Sequence, residues 1–219
     1  MATKNRAWYR AKRLGSAVVN IAGAAYDRIL YRGVLPPLNQ PLMIDPRAIV
    51  GMPAKGYYLH SKKPLCRGLS RMQDGDWDLN IRPLSRWVRI LEAYYAGRGS
   101  EEARTEFVAA LRARGLTGEA LDRELRKTDK ILWSVDRHGF QPFNYGAGRV
   151  GYLPLGLRGY ITHGMSAIGV AVARDGSLLW VGSKHRMAVA LGLELNNVPA
   201  LVCALHREWN GELKCRLPR

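Results

Sequence analysis

The sequence predicts an α/β (α+β) protein: a small mixed sheet with a helical insertion, preceded by a basic N-terminal helix. Three observations lead there. Both ends of residues 41–209 carry short apolar runs bounded by Gly, Pro and Asp, the signature of strands. Between about 84 and 139 the apolar residues recur at helical spacing instead. The chain has 219 residues, 47% hydrophobic and 24% charged, enough for one large domain or two small ones with a sizeable core. That composition excludes wholesale disorder. No run approaches the ~18 consecutive apolar residues of a membrane span.

The elements follow in order. Residues 1–40 form a basic helix or arm, stopped by Gly33 and Pro36-Pro37, and residues 41–219 form the domain. The basic start before Ala17–Tyr26 resembles a signal peptide only superficially, because Asn20 and Gly23 break the apolar run. A surface helix or an organellar presequence remain as readings. Pro41–Pro46 is a strand entering the core, and 51–73 is loop and short strand. In 84–96, Trp87, Ile90, Leu91, Tyr94 and Tyr95 share one helix face. Ser100 caps a second helix, with Glu101 and Glu102 in its positive first turn, running to Arg114 and Gly115. Thr117 offers the cap of a third, striped by Leu121, Leu125, Thr128, Leu132 and Val135 and closed by His138-Gly139. Residues 140–164 hold six glycines and read as a long loop or hinge. Strands follow at 168–173 and 178–181 around an Arg174-Asp-Gly176 turn, then a helix over 184–193 and a strand over 198–203.

Charge is the unusual quantity. Thirty-four Lys and Arg face eighteen Asp and Glu, a formal +16. Residues 1–73 carry +11, residues 74–145 are balanced, and residues 146–219 carry +5. Such a field favours nucleic acid, nucleotides or an anionic membrane face. A solvated basic arm accounts for the same numbers. Lys4, Arg6, Arg10, Lys12 and Arg13, with Lys62 and Lys63 beside Lys55 and Tyr57-Tyr58, are the candidate nucleic-acid contacts. Cys66, Cys203 and Cys215 form no CxxC pair, which suits a reducing compartment, cytoplasmic or virus-associated. The five histidines show no metal-ligand spacing.

Two constellations carry chemistry. In Val181-Gly-Ser-Lys-His-Arg186 a strand ends, a glycine turns and a helix starts among cations. Unpartnered N–H groups and the positive end of the dipole, with Lys184, His185 and Arg186, suit a phosphate. Arg186 would fork onto it, and His185 would donate or relay a proton. The bland alternative is a helix start with solvated cations. In Asp74-Gly-Asp-Trp-Asp78, Asp76 and Asp78 share one side of an extended segment, where paired carboxylates hold Mg²⁺ or act as base. The alternative is an Asx-type turn, or neutralisation of Arg67, Arg71 and Arg82. Trp77 is either a base-stacking platform or core, and His206 and Trp209 pack near the phosphate turn.

The ordered set Arg174-Asp-Gly176, Gly182-Ser-Lys-His185-Arg186 and Val198-Pro-Ala-Leu-Val202 resembles the ParB/sulfiredoxin-like superfamily. With Gly75-Asp-Trp-Asp78, Asp136-Arg-His-Gly139 and His206-Arg-Glu-Trp209 it is similar to ParB-like proteins of archaea, bacteria and viruses, over roughly residues 41–209. The resemblance implies a small α/β fold whose strand-to-helix turn cradles a nucleotide, with phosphate contacts from Gly182, Ser183, Lys184, His185 and Arg186. Sulfiredoxins carry a cysteine where Ser183 stands, so sulfinic reduction does not follow. Partition proteins continue into a helix-turn-helix domain, whereas this chain ends ten residues after Trp209.

Two functions are therefore expected. The first is a nucleotide- or nucleic-acid-binding protein using the 182–186 turn and the basic arm. The second is a phosphotransferase or NTPase with CTP, ATP or ADP and Mg²⁺, in which Asp76 or Asp78 is metal ligand or base and His185 assists. A homo-oligomer is compatible with both, and a fold without a live site is the third reading.

Overall fold

The computed structural model describes residues 42–54, 57, 71–140 and 168–214. The N-terminal arm, the 140–164 loop beyond Phe140, and Cys66 and Cys215 lie outside these. The element order is β1 (Leu42–Ile44), a 3-10 turn (Pro46–Ala48), β2 (Ile49–Gly51), β3 (Arg71–Gln73), α1 (Arg86–Ala96), α2 (Glu101–Ala113) and α3 (Gly118–His138). It continues with β4 (Ile168–Val172), β5 (Leu178–Gly182), α4 (Lys184–Gly192) and β6 (Val198–His206). The α/β class is as expected: the described residues form four helices and one mixed sheet of six strands in the order β1-β6-β4-β5-β2, with β3 also on β6. No described helix is long and apolar enough to cross a membrane.

β4 and β5 form an antiparallel hairpin, and β4 lies parallel to β6. The hairpin loop spans three residues. Ala173 N–H donates to Ser177 (2.9 Å) and Gly176 N–H to Ala173 (3.0 Å), with Gly176 at φ +82°. This is a tight turn whose last residue is left-handed, the conformation that only glycine adopts cheaply. β6 extends to His206, three residues beyond the expected end, because β3 pairs with its last three residues in parallel register. Partners far away in sequence set this strand's length.

Alternation splits the core in two. Val170, Val172, Leu178 and Trp180 face the helices, while Ala171, Ala173, Leu179 and Val181 pack with Trp77 and Cys203 on the other side. α1 buries Val88, Leu91, Tyr94 and Tyr95, so the tyrosine pair is core as its spacing predicts; Val88 is buried, and Trp87 and Ile90 are at the margin. α3 buries all five residues of its predicted stripe. Ser100 caps α2 by accepting from Ala103 N–H at 3.3 Å, and Ser85 does the same for α1 with Val88 N–H. Thr117 stands at the N-terminus of α3 but makes no side-chain cap.

α1 and α4 cross closely. A Cβ on Gly192 would lie 2.6 Å from the Glu92 carbonyl oxygen and 2.9 Å from Ala96 N, so the missing side chain is what lets the backbones approach. The helical insertion is thereby fastened to the helix that carries the candidate phosphate turn.

Candidate functional site

β5 ends at Gly182, and the Trp180 indole N–H donates to the Gly182 carbonyl at 2.5 Å. Ser183 then takes a left-handed conformation (φ 69°, ψ 60°), uncommon for a residue with a side chain. Its carbonyl accepts from Met187 N–H at 3.0 Å, closing the first turn of α4. The amides of Lys184, His185 and Arg186 therefore stand at the positive end of a nine-residue helix.

The three cationic side chains do not converge. Successive helix residues are turned by about 100°, and each takes its own direction. His185 is buried among the helices. Its Nδ1 lies 3.2 Å from the Tyr95 hydroxyl and its Nε2 lies 3.2 Å from Glu124 Oε1. A neutral imidazole satisfies both: the tyrosine hydroxyl donates to Nδ1, and Nε2–H donates to the carboxylate. Burial holds the His185 pKa below 6.5 despite the carboxylate, which supports that form. With both nitrogens committed to protein groups, His185 is a positioning residue in this arrangement, and the expected proton relay to a ligand has no free nitrogen. Lys184 lies over the Trp87 ring (5.3 Å to the centroid) and 3.8 Å from Glu124 Oε1. Arg186 is 7% exposed, with its guanidinium 6.0 Å from the Phe140 ring centroid.

Glu124, on α3, is therefore the anion held at this corner. The His185 hydrogen bond, opposed by burial and aided by Lys127 and Lys184, lowers its pKa to about 2. Sequence reasoning missed Glu124, Tyr95, Trp87, Arg114 and Lys127. One signal was present: Glu124 lies three residues after Leu121 and four before Thr128, a charge inside the buried stripe of α3.

The acidic segment sits elsewhere. Asp78 is buried and accepts from three donor groups of Arg174: backbone N–H at 2.8 Å, Nε at 3.0 and 3.2 Å to its two oxygens, and Nη2 at 3.0 Å. Burial pushes the Asp78 carboxyl up, but the Arg174 bonds outweigh it and hold the pKa below 3.8. Asp76 meets the same Arg174 Nη2 at 3.1 Å, and Glu208 meets Nη1 at 3.3 Å. Asp74 pairs with Arg207 at 2.9 Å, and Arg82 donates to the Pro53 carbonyl instead. The partner of the paired carboxylates is thus the arginine of the hairpin turn, 96 residues from Asp78, and not Arg82; Arg67 and the side chain of Arg71 lie outside the described residues.

Register separates the two constellations. Arg174 follows β4 at the hairpin end, where β5 begins at Leu178, and Gly182 is at the other end of β5. Four residue steps at ~3.3 Å put the two ends of β5 about 13 Å apart. The structure does not bring Asp76 or Asp78 to the Gly182–Arg186 turn. His206 also lies at the Arg174 end, paired in register with Gln73, its Nε2 3.0 Å from the Gly75 carbonyl. Trp209 follows it there, donating to the Glu212 carbonyl. Their expected place beside the phosphate turn is corrected on this ground. Trp77 is fully buried with its ring 5.4 Å from that of His206, so it is core and not a stacking platform.

Among the described residues no three His, Cys, Asp or Glu side chains converge to hold a metal ion. Tyr57 packs against the Trp77 cluster. Lys4, Arg6, Arg10, Lys12, Arg13, Lys55, Tyr58, Lys62 and Lys63 lie outside the described residues. Compared with models of protein families, with curated proteins and with solved structures, the chain matches none.

Proposed function

We propose that this chain is a ParB-like polyanion-binding protein that takes a phosphate at the Gly182–Arg186 turn and nucleic-acid backbone on its basic segments. The observation that carries the reading is the partition of charge. The described residues hold nineteen basic and seventeen acidic side chains, nearly balanced. The remaining segments hold fifteen basic side chains and one acidic, Asp27. A near-neutral core with a net +14 in the rest is the distribution expected when cations serve a partner and not the fold. The left-handed Ser183 and the first amides of α4 supply the second element, a corner shaped for an anion. Asp76 and Asp78 stand at the far end of β5 from that corner, which favours binding over a phosphotransferase that would use those two carboxylates as base or metal ligand.

Fluorescence anisotropy with labelled single- and double-stranded DNA and RNA tests it. Binding rests on phosphate neutralisation, so affinity falls about 10³–10⁵-fold between 50 and 200 mM salt if six to ten contacts form. Changing Lys4, Arg6, Arg10, Lys12 and Arg13 to Gln flattens the salt dependence. Absence of binding at low salt, or affinity indifferent to salt, overturns the proposal.

A further inference from the structure

Four charged side chains from three helices meet beside the corner, and none of Arg114, Lys127 or Glu124 belongs to the turn itself. Arg114, at the C-terminal cap of α2, places its guanidinium 4.1 Å from the Trp87 ring centroid. Lys184, at the start of α4, places its ammonium 5.3 Å from the same centroid. Lys127 and Lys184 lie 3.6 and 3.8 Å from the Glu124 carboxylate. Among the described residues, Glu124 is the only carboxylate paired with these cations.

The cluster thus holds three fixed positive charges against one negative, a surplus of two. It is also open. The Lys184 and Lys127 side chains are 40% and 49% exposed, and Arg114 is exposed, so an incoming ligand reaches all three without unfolding a helix. A structural ion pair needs no second and third cation, and like charges this close repel one another unless an anion joins them. Burial and the neighbouring Lys127 and Arg114 depress the Lys184 pKa, against the pull of Glu124.

We infer that Arg114, Lys127 and Lys184 form a seat for a di- or triphosphate chain, with Glu124 as the resident counter-ion that the ligand displaces. This deepens the proposed function and rests on it. The charge count selects the ligand class. With Glu124 displaced all three cations are uncompensated: a backbone phosphodiester brings a single charge and orthophosphate at most two at neutral pH, whereas a terminal di- or triphosphate brings about three or more. The flat face of Trp87 is already taken up by the two cations, so recognition here is of charge and not of a stacked base. The helical insertion, on this account, supplies two of the three cations and makes the corner specific for clustered phosphates.

Calorimetric titration of the full chain with inorganic triphosphate, and separately with orthophosphate, tests the inference. Triphosphate binds at least about tenfold more tightly than orthophosphate. Replacing Arg114 and Lys127 together by Gln weakens triphosphate binding by about tenfold or more, while nucleic-acid binding stays within about twofold. The charge-preserving pair Arg114→Lys and Lys127→Arg restores most of the affinity, which separates loss of charge from loss of fold. Glu124→Gln tightens triphosphate about three- to tenfold, because the displaced competitor is gone. Triphosphate no better than orthophosphate, wild-type affinity in the double Gln variant, or no gain in Glu124→Gln each overturns the inference. If nucleic acid binds and triphosphate does not, this seat is wrong and the polyanion reading stands; if neither binds, both fall.

Discussion

Glu124→Gln removes one charge from the junction of α3 and α4 and keeps its shape. In the folded protein the Glu124 carboxyl titrates near 2 instead of 4.5, held there first by the His185 hydrogen bond and then by Lys127 and Lys184. At ~1.4 kcal/mol per pH unit, that depression corresponds to about 3.5 kcal/mol before screening. Lys127 and Lys184 are about half open to water, and screening brings the net contribution to about 1 kcal/mol. The folded-state value lies below the unfolded one. The contribution is therefore complete above about pH 4.5 and drains away as the pH falls toward 2. Urea unfolding of both proteins from pH 7 to pH 2 reads this directly. At pH 7 the variant loses about 1 kcal/mol, or ~0.5 M in midpoint for a slope near 2 kcal/mol/M. The gap closes toward pH 2, where protonated Glu and Gln are nearly equivalent. Asp175 titrates in the same window, but it is present in both proteins and cancels from the difference. Equal midpoints at pH 7, or a gap that ignores pH, refutes the electrostatic account of this junction.

Two further predictions concern the frame around the site. Gly192→Ala places a methyl against α1 backbone, at 2.6 Å from the Glu92 carbonyl oxygen, a typical overpacking cost of ~1–3 kcal/mol. The better helix propensity of Ala returns ~0.5–1 kcal/mol. The net loss, about 1–2 kcal/mol, lowers Tm by about 3–6 °C by scanning calorimetry, and an unchanged Tm contradicts the close crossing. Asp78→Asn removes the charge to which Arg174 is bound and lowers Tm, yet it leaves triphosphate affinity within about twofold, because the corner lies about 13 Å away along β5. Lost affinity in a variant whose circular dichroism is unaltered would show that the two ends of the strand are coupled.

The helical insertion was readable because its cues are local. Leu121, Leu125, Thr128, Leu132 and Val135 all point one way for the simple reason that helical turns are periodic, and Ser100 caps because its side chain reaches an amide three residues on. The Arg174-Asp-Gly176 turn was readable for the same reason, since Gly176 needs its φ of +82° whatever surrounds it. The end of β6 was not, because His206 is in a strand only through its pairing with Gln73.

The candidate site divides along the same line. Sequence alone determined that a glycine and three cations stand between a strand and a helix, and that most of the excess charge lies toward the chain's ends. Tertiary structure decided what those side chains meet. It turned His185 toward Tyr95 and Glu124, and it bound Asp78 to Arg174 at the far end of β5. It also gathered Arg114, Lys127 and Lys184 around one carboxylate. Helix periodicity and turn chemistry act over a few bonds and are written in neighbouring residues. Charge pairing acts through space, and which charges become neighbours depends on how the helices cross.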